Sequence, residues 1–390
     1  MTEKIFRIIE EKAQEYKDLL RDMVMLESYT PEKADVDKLG AFIKNFAESK
    51  GLTVTVKPFP KAGDGLLITM NEDAPLPPVV FTGHMDTVHP RGVFRDPVFR
   101  EEDGVFYGPG VQDMKGGLAQ GLLVMDALKI AGYGKRPVKF IMISDEELSE
   151  GLSGEAGKDF IRDNARGAAA ALTLEGGGKG SICVGRKGSI RYRVFVHGKA
   201  THAGAQYKEG ISAIKEAAQK ILAIEAPSDQ EQITYNCGLF SGGTSPNTVP
   251  GEATFTLYNR YWEMKQRDEI KRHVEGIINK SFIPGTTADF EIIGERYPME
   301  ATPANYALAA FISGVSEKYG WGEMKPYKAS AGSDASYTTM AGAPSVCTMG
   351  PLGANVHSPK ELMYADSLPE RAKLVAAVVN ELPDDFGKDF

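Results

Sequence analysis

Two short runs set the first constraint on this chain: Val79, Val80 and Phe81, and Phe140, Ile141, Met142 and Ile143, are apolar at every position. A strand with one face in water alternates in polarity, so strands without alternation suit a sheet covered by helices on both faces. The surrounding order agrees. Apolar residues at helical spacing (Ile5, Ile8, Ile9, Leu19, Leu20, Met23) predict a helix over 3–26, and a second follows Thr30 and Pro31 over 34–49. Then come LTVTVKPF, LLITM and PVVFTG, a helix from about Lys115, the run VKFIMIS, another short helix and AAALTLEG. Strands alternating with helices specify an α/β fold.

After Gly185 the pattern changes. Residues 189–197, SIRYRVFVH, alternate, with Ile190, Tyr192, Val194 and Val196 on one face and Arg191, Arg193 and His197 on the other. A helix over 209–225, strands over 232–240 and 252–262, a charged helix over 263–280 and a strand over 288–297 complete a βαββαβ order, the ferredoxin-like arrangement of a small sheet with helices on one face. From Thr302 the chain returns to long helices and one apolar strand, SVCTMG. The simplest organisation is a larger α/β domain made of 1–186 and 299–390, with a lid inserted at 187–298.

Composition narrows the function. A length of 390 residues, 42% hydrophobic and 25% charged, suits two domains with a sizeable core and excludes disorder. Lys plus Arg number 45 against 53 Asp plus Glu, so no net basic field draws the chain to nucleic acid or anionic lipid, and small partners are expected. Cys183, Cys237 and Cys347 are odd in number and far apart, which fits a reducing compartment. The first twenty residues carry charges throughout and no apolar run of membrane length occurs, so the expected location is cytoplasmic.

Acidic or histidine residues follow the predicted strands or precede a helix: His84 and Asp86, Asp113, Glu146 and Glu147, and Glu175. Any one of them could be a solvated loop residue or a cap; Asp113 could cap the helix from Lys115, and Glu147 the next one. Together they point to an open α/β sheet whose strand ends gather ligand-binding side chains in one crevice. A histidine with oxygen ligands suits Zn²⁺, and the HxD spacing lets Asp86 accept a hydrogen bond from the outer ring nitrogen of His84. Two adjacent glutamates can divide labour, one on metal and one taking a proton from water; spacing alone leaves open which does which. GPGVQD lacks the third glycine of a dinucleotide motif, which argues against nucleotide binding.

GHMDTV, YGPGVQDMKGG, SDEE, LEGG, KATHAG, SPNTVP and VHSPKE resemble, in order, the motifs of the dinuclear zinc aminoacylase/carboxypeptidase family, which includes acetylornithine deacetylase, succinyl-diaminopimelate desuccinylase, peptidase T and glutamate carboxypeptidase. The likeness runs over 26–368 and implies a zinc-peptidase-type α/β catalytic domain with an inserted lid that usually dimerises. It implies two Zn²⁺ per chain, with Co²⁺ or Mn²⁺ as substitutes, and makes Asp113 the shared ligand. His84 and Glu175 would complete one site, Glu147 and His357 the other, and Glu146 would be the general base. The same resemblance makes His202 in KATHAG the lid histidine that reaches an active site, often the partner subunit's, and stabilises the oxyanion. Asn247 and Arg260 would hold substrate polar groups and a carboxylate, and Gly332 and Ser333 in GSDAS would form a turn beside the substrate. Gln112 before the shared Asp113 and Pro109 in the preceding loop depart from the common pattern. The resulting expectation is a homodimeric hydrolase of a peptide or N-acyl amino acid, of the carboxypeptidase or deacylase type. Glu rather than Asp at position 175 favours that branch over a di- or tripeptidase of the peptidase T type. A non-catalytic binding protein would have lost the base or a ligand, and neither is lost here.

Overall fold

Six strands form the central sheet, in the order Thr53–Lys57, Gly65–Met70, Val138–Ile143, Val79–His84, Ala170–Thr173 and Ser345–Val346. The last four run parallel, and the first two pair antiparallel at one edge. This is a computed structural model that describes residues 1–95, 97–148 and 151–387. The chain divides into two units, Met1–Gly185 with Ala301–Ala329 and Ser333–Phe390, and Arg186–Glu300 with Ser330–Gly332.

In the first unit Val79–His84 is buried at every position and Val138–Ile143 at all but one, which is why neither run alternates. Helix Gly116–Ala131 is buried on nearly all sides, packed against helices Thr2–Met25 and Ser367–Glu381 as well as the sheet. Two glycines set how closely it sits. A Cβ on Gly117 would lie 2.0 Å from the Leu174 carbonyl oxygen, and one on Gly121 would lie 2.3 Å from the Phe140 ring. Only a residue without a side chain lets the first turns of this helix come down on the strand ends. The turn that precedes the helix is thereby carried to the carboxyl end of the sheet.

The second unit has a four-stranded antiparallel sheet in the order Thr234–Gly242, Glu252–Tyr261, Gly188–His197, Thr287–Arg296. With helices Ala213–Glu225 and Met264–Ile278 the chain order is βαββαβ. Ile190, Tyr192, Val194 and Val196 share a core with Ala213, Ala217, Ile270 and Val274 from the helices. The opposite face carries charge, with Arg193 paired to Glu291 at 2.6 Å and His197 between Glu252 at 2.7 Å and Asp289 at 2.9 Å.

Some local expectations change. The segment after Thr302 holds four short strands, Lys325–Ala329, Ser345–Val346, Gly353–Ala354 and Leu362–Tyr364, where one was expected. Three of them have only two or three residues, too few for a period to show, and Leu362–Tyr364 pairs with the distant Val105–Tyr107. The SVCTMG run forms a regular strand only at Ser345–Val346. The helix expected from about 209 begins at Ala213, with the Ser212 side chain accepting from Lys215 N–H. No helix among the described residues is long and apolar enough to cross a membrane.

One buried ion pair organises the helical layer of the second unit. Lys220 and Glu216, both at most 1% exposed, meet at 2.8 Å. The ammonium also donates to the carbonyls of Ile277, Ile278 and Lys280 at 3.1, 2.8 and 2.5 Å, ending helix Met264–Ile278. The carboxylate accepts from Phe282 N–H at 3.0 Å and Ile283 N–H at 2.6 Å. Removing one partner strands a buried charge, so Glu216→Ala is expected to destabilise the protein by about 3–5 kcal/mol. Adding Lys220→Met should recover part of that loss, and denaturant midpoints of the two variants check it.

Candidate active site

Three neighbouring parallel strands deliver side chains to one end of the sheet. His84 is the last residue of Val79–His84, Glu146 and Glu147 follow Val138–Ile143, and Glu175 follows Ala170–Thr173. Asp113 arrives from outside the sheet. It lies in the irregular turn Val111–Lys115, where Asp113 and Met114, joined by a cis peptide, leave helical backbone before Gly116. His357 comes from the loop between Gly353–Ala354 and Leu362–Tyr364, in a left-handed conformation with φ 60°.

These residues meet. Asp113 turns its two oxygens to two different imidazoles, Oδ1 to His84 Nε2 at 3.2 Å and Oδ2 to His357 Nε2 at 3.1 Å. Glu175 lies 3.8 Å from His84 Nε2, and Glu147 Oε2 lies 3.2 Å from His357 Nε2. The ligand-type atoms of His84, Asp113 and Glu147 all fall within 4.8 Å of one another. Asp113 therefore does not cap the following helix, which has no side-chain cap, and neither does Glu147 cap helix Glu155–Ala165.

The electrostatics of the cluster call for positive charge. Burial by itself would push the His84 imidazole down, but hydrogen bonds to Asp113, Asp86 and Glu175 outweigh it and hold His84 well above its usual pKa. Hydrogen bonds to Asp113 and Glu147 raise His357 to about 10. Burial raises Glu147 above the usual carboxylate range, with the Asp113 charge adding to it. Asp113 goes the other way: despite burial, the two imidazoles hold its carboxyl far below that range. Glu147 Oε1 is buried and has no hydrogen-bond partner among the described residues. A buried carboxylate oxygen without a partner, beside imidazole and carboxylate donors, is a donor set that fits a divalent cation.

Asp86 supports this cluster more broadly than the HxD spacing indicated. Fully buried, its carboxylate accepts from Glu146 N–H at 3.2 Å, Glu147 N–H at 3.1 Å and the Thr30 hydroxyl at 2.8 Å. The nearest acceptor for His84 Nδ1 is the main-chain carbonyl of Asp86 at 3.0 Å, with the carboxylate at 3.4 Å. Asp86 thus ties the two glutamates to the histidine strand, and Glu146 itself is buried at 8% exposure.

The second unit carries the other predicted residues except Ser333. His202 and Asn247 are neighbours: strands Thr201–His202 and Thr248–Val249 pair antiparallel, and Ala203 N–H donates to the Asn247 carbonyl at 2.8 Å. His202 is exposed, and its Nδ1 accepts N–H groups of Gly204 and Ala205, each at 3.1 Å. That fixes the proton of the neutral ring on Nε2, which makes Nε2 a donor. Arg260 bonds to the Tyr258 hydroxyl and, at 3.3 Å, to the Lys187 carbonyl. The Gly332 carbonyl accepts from Arg186 at 3.1 Å, and a Cβ there would lie 2.7 Å from Arg296 Cδ. Ser333, in the first unit, is buried, its hydroxyl accepting from Ala335 N–H at 3.3 Å.

Sequence reasoning missed Thr30 and Glu361. Thr30 before Pro31 reads as the entrance to a helix, and nothing local shows that its hydroxyl reaches Asp86. Glu361 was visible inside VHSPKE, yet an acid four residues from a loop histidine has no periodic signature.

The model of Peptidase family M20/M25/M40 matches residues 80–381. Carboxypeptidase G2 of Pseudomonas sp. (strain RS-16) is 28% identical, covering 93% of this chain and 88% of its own. Succinyl-diaminopimelate desuccinylase of Bordetella parapertussis is 25% identical over 90% of this chain and 93% of its own. The crystal structure of aminopeptidase PepT from Bacillus cereus ATCC 10987 shares the fold, with a TM-score of 0.77 at 22% identity over 95% of this chain and 98% of its own.

Thr30→Val keeps the shape and removes the hydroxyl donor to Asp86. It should lower stability by about 1.5–3 kcal/mol, the usual worth of a hydrogen bond to a charged group. The melting temperature should fall and any hydrolytic activity with it, since the same carboxylate positions Glu146 and Glu147; an unchanged melting temperature would count against this support role.

Proposed function

This chain belongs to peptidase family M20/M25/M40, and on that premise we propose that it is a dinuclear zinc amidohydrolase cleaving the peptide or N-acyl bond of a small substrate with a free carboxylate. It is a metallohydrolase acting on amide bonds; the finer reading rests on one observation. The two oxygens of Asp113 face two different imidazoles, the geometry of a carboxylate shared between two cations. His84 and Glu175 would hold one Zn²⁺ with Asp113, and Glu147 and His357 the other.

Bound zinc would polarise the scissile carbonyl and make water acidic enough to attack near neutral pH. Glu146 takes the proton from the attacking water and returns it to the leaving nitrogen. Its backbone is held by Asp86, so the base and the neighbouring ligand Glu147 keep a set spacing. His202 donates from Nε2 to the oxyanion, a role supported by the two backbone N–H groups that occupy Nδ1. Arg260 takes the substrate carboxylate, for which guanidinium geometry is suited, Asn247 a further polar group, and the Gly332 and Ser333 turn flanks them. Relatives named as a carboxypeptidase and a desuccinylase support this substrate class. We place the enzyme in the cytoplasm as a homodimer through the second unit, whose edge strand Thr234–Gly242 exposes Leu239 and Phe240.

Glu146→Gln keeps size and removes the proton acceptor, so kcat should fall by roughly 10² to 10⁴ with both metals retained, as metal analysis and steady-state assays on N-acyl amino acids and dipeptides would show. Loss of metal instead would exchange the roles of Glu146 and Glu147. For His202 acting across the dimer, complementation is decisive. Mixing inactive His202→Ala and Glu146→Gln chains should restore up to half the wild-type activity per mixed dimer, because one site then carries neither defect. Verified subunit exchange without recovery would sink the trans assignment.

A further inference from the structure

Glu361 is fully buried, and the hydrogen bonds its carboxylate accepts come from one short turn and one histidine. Oε1 accepts from Gln112 N–H at 2.8 Å and Asp113 N–H at 2.9 Å. Oε2 accepts from Gly110 N–H at 3.0 Å and meets His89 Nε2 at 2.9 Å. Three main-chain donors of the turn that carries Asp113 thus converge on a single anion. An ionised carboxylate can accept all four bonds; an amide cannot, because its nitrogen would face donors.

Glu361 also belongs to the loop that carries His357. It immediately precedes strand Leu362–Tyr364, whose Leu362 pairs with Tyr107 just ahead of the Asp113 turn. The register of that pairing delivers Glu361 to Gly110. Upstream, His357 and Asn355 both adopt left-handed backbone, at φ 60° and 61°, a conformation that costs free energy unless the surroundings hold it. The Ser358 hydroxyl donates to the Asn355 carbonyl at 2.8 Å, and Glu361 N–H donates to the Ser358 carbonyl at 3.0 Å. One carboxylate therefore fastens the Asp113 turn to the end of the His357 loop. His84, by contrast, stands at the end of a buried strand and owes nothing to Glu361.

We infer that Glu361 is a positioning residue that sets the spacing between Asp113 and His357, and so the affinity of one of the two metal sites. This rests on the dinuclear reading above. The site formed by Asp113, Glu147 and His357 depends on Glu361 through two ligands, whereas the site of His84, Glu175 and Asp113 depends on it through one. Loss of Glu361 should divide the two affinities. Partners that orient ligands are typically worth 10–100-fold in metal affinity.

The test is zinc retention by the full chain against a graded chromophoric chelator, read as metals per chain without reference to activity. Wild type should release two zinc ions over one range of free zinc. Glu361→Gln should release one of them at roughly 10–100-fold higher free zinc and the other near the wild-type point. Combined with His357→Ala, it should weaken zinc by less than it does alone, because the part of its effect carried by His357 is already lost. Asp113→Asn is the control for the underlying reading: if it still holds two zinc ions, the shared-ligand assignment fails and not merely this proposal. If Asp113→Asn loses zinc while folded Glu361→Gln keeps both ions at wild-type affinity, the positioning role is overturned. Should Glu361→Gln fail to fold, His89→Phe decides. It keeps an aromatic ring against Phe94, which meets His89 edge-to-face with centroids 5.0 Å apart, and removes one donor to Oε2. A selective weakening of one ion supports the role, and unchanged release of both overturns it.

Discussion

Buried negative charge is the constraint on which the rest of the catalytic unit depends. Asp113, Glu147 and Glu175 are brought against two imidazoles at the end of a sheet whose strands are otherwise apolar. Carboxylates this close repel one another, and water is scarce where Asp113 and Glu147 are drawn in. The carboxylates raise the proton affinity of both imidazoles, and among the described residues one carboxylate oxygen of Glu147 has no partner. A site in this condition is preorganised for a divalent cation, since a metal supplies the charge that protons only partly replace.

Such a cluster needs a frame that resists collapse or dispersal. Asp86 supplies part of it by accepting the amides of Glu146 and Glu147 and the hydroxyl of Thr30, so that three chain segments meet on one carboxylate. Glu361 supplies another part from the opposite end of the sequence. In both cases a buried acid fixes the backbone of residues in the cluster. The glycines at 117 and 121 belong to the same frame, because a helix held one side chain further from the sheet would carry Asp113 out of reach of His84.

The second unit solves a different problem with a similar device. Its helices cover one face of an antiparallel sheet with an apolar layer, and Lys220 and Glu216 inside one helix grip the end of the other in place of more hydrocarbon. The ion pair satisfies the carbonyls at the end of one helix and the amides of the turn that follows. A buried pair of this kind adds little net stability over apolar residues, but it admits one arrangement of the two segments.

Much of this was legible in the amino-acid order. Absent alternation in Val79–His84 and Val138–Ile143 determined a covered sheet, alternation from Ile190 to Val196 determined a half-exposed one, and the positions of His84, Glu146, Glu147 and Glu175 after strands followed from the same periodicities. Periodicity reports only what a side chain's own segment does with water, so residues placed by other segments stayed silent. The two faces of Asp113, the turn of His357 into left-handed backbone, the hydroxyl of Thr30 on Asp86 and the grip of Glu361 on Gly110, Gln112 and Asp113 each depend on loops that meet across 29 to 251 positions of sequence. Only tertiary packing decides those distances, because short-range order sets which face of an element is apolar and not which distant loop it encounters.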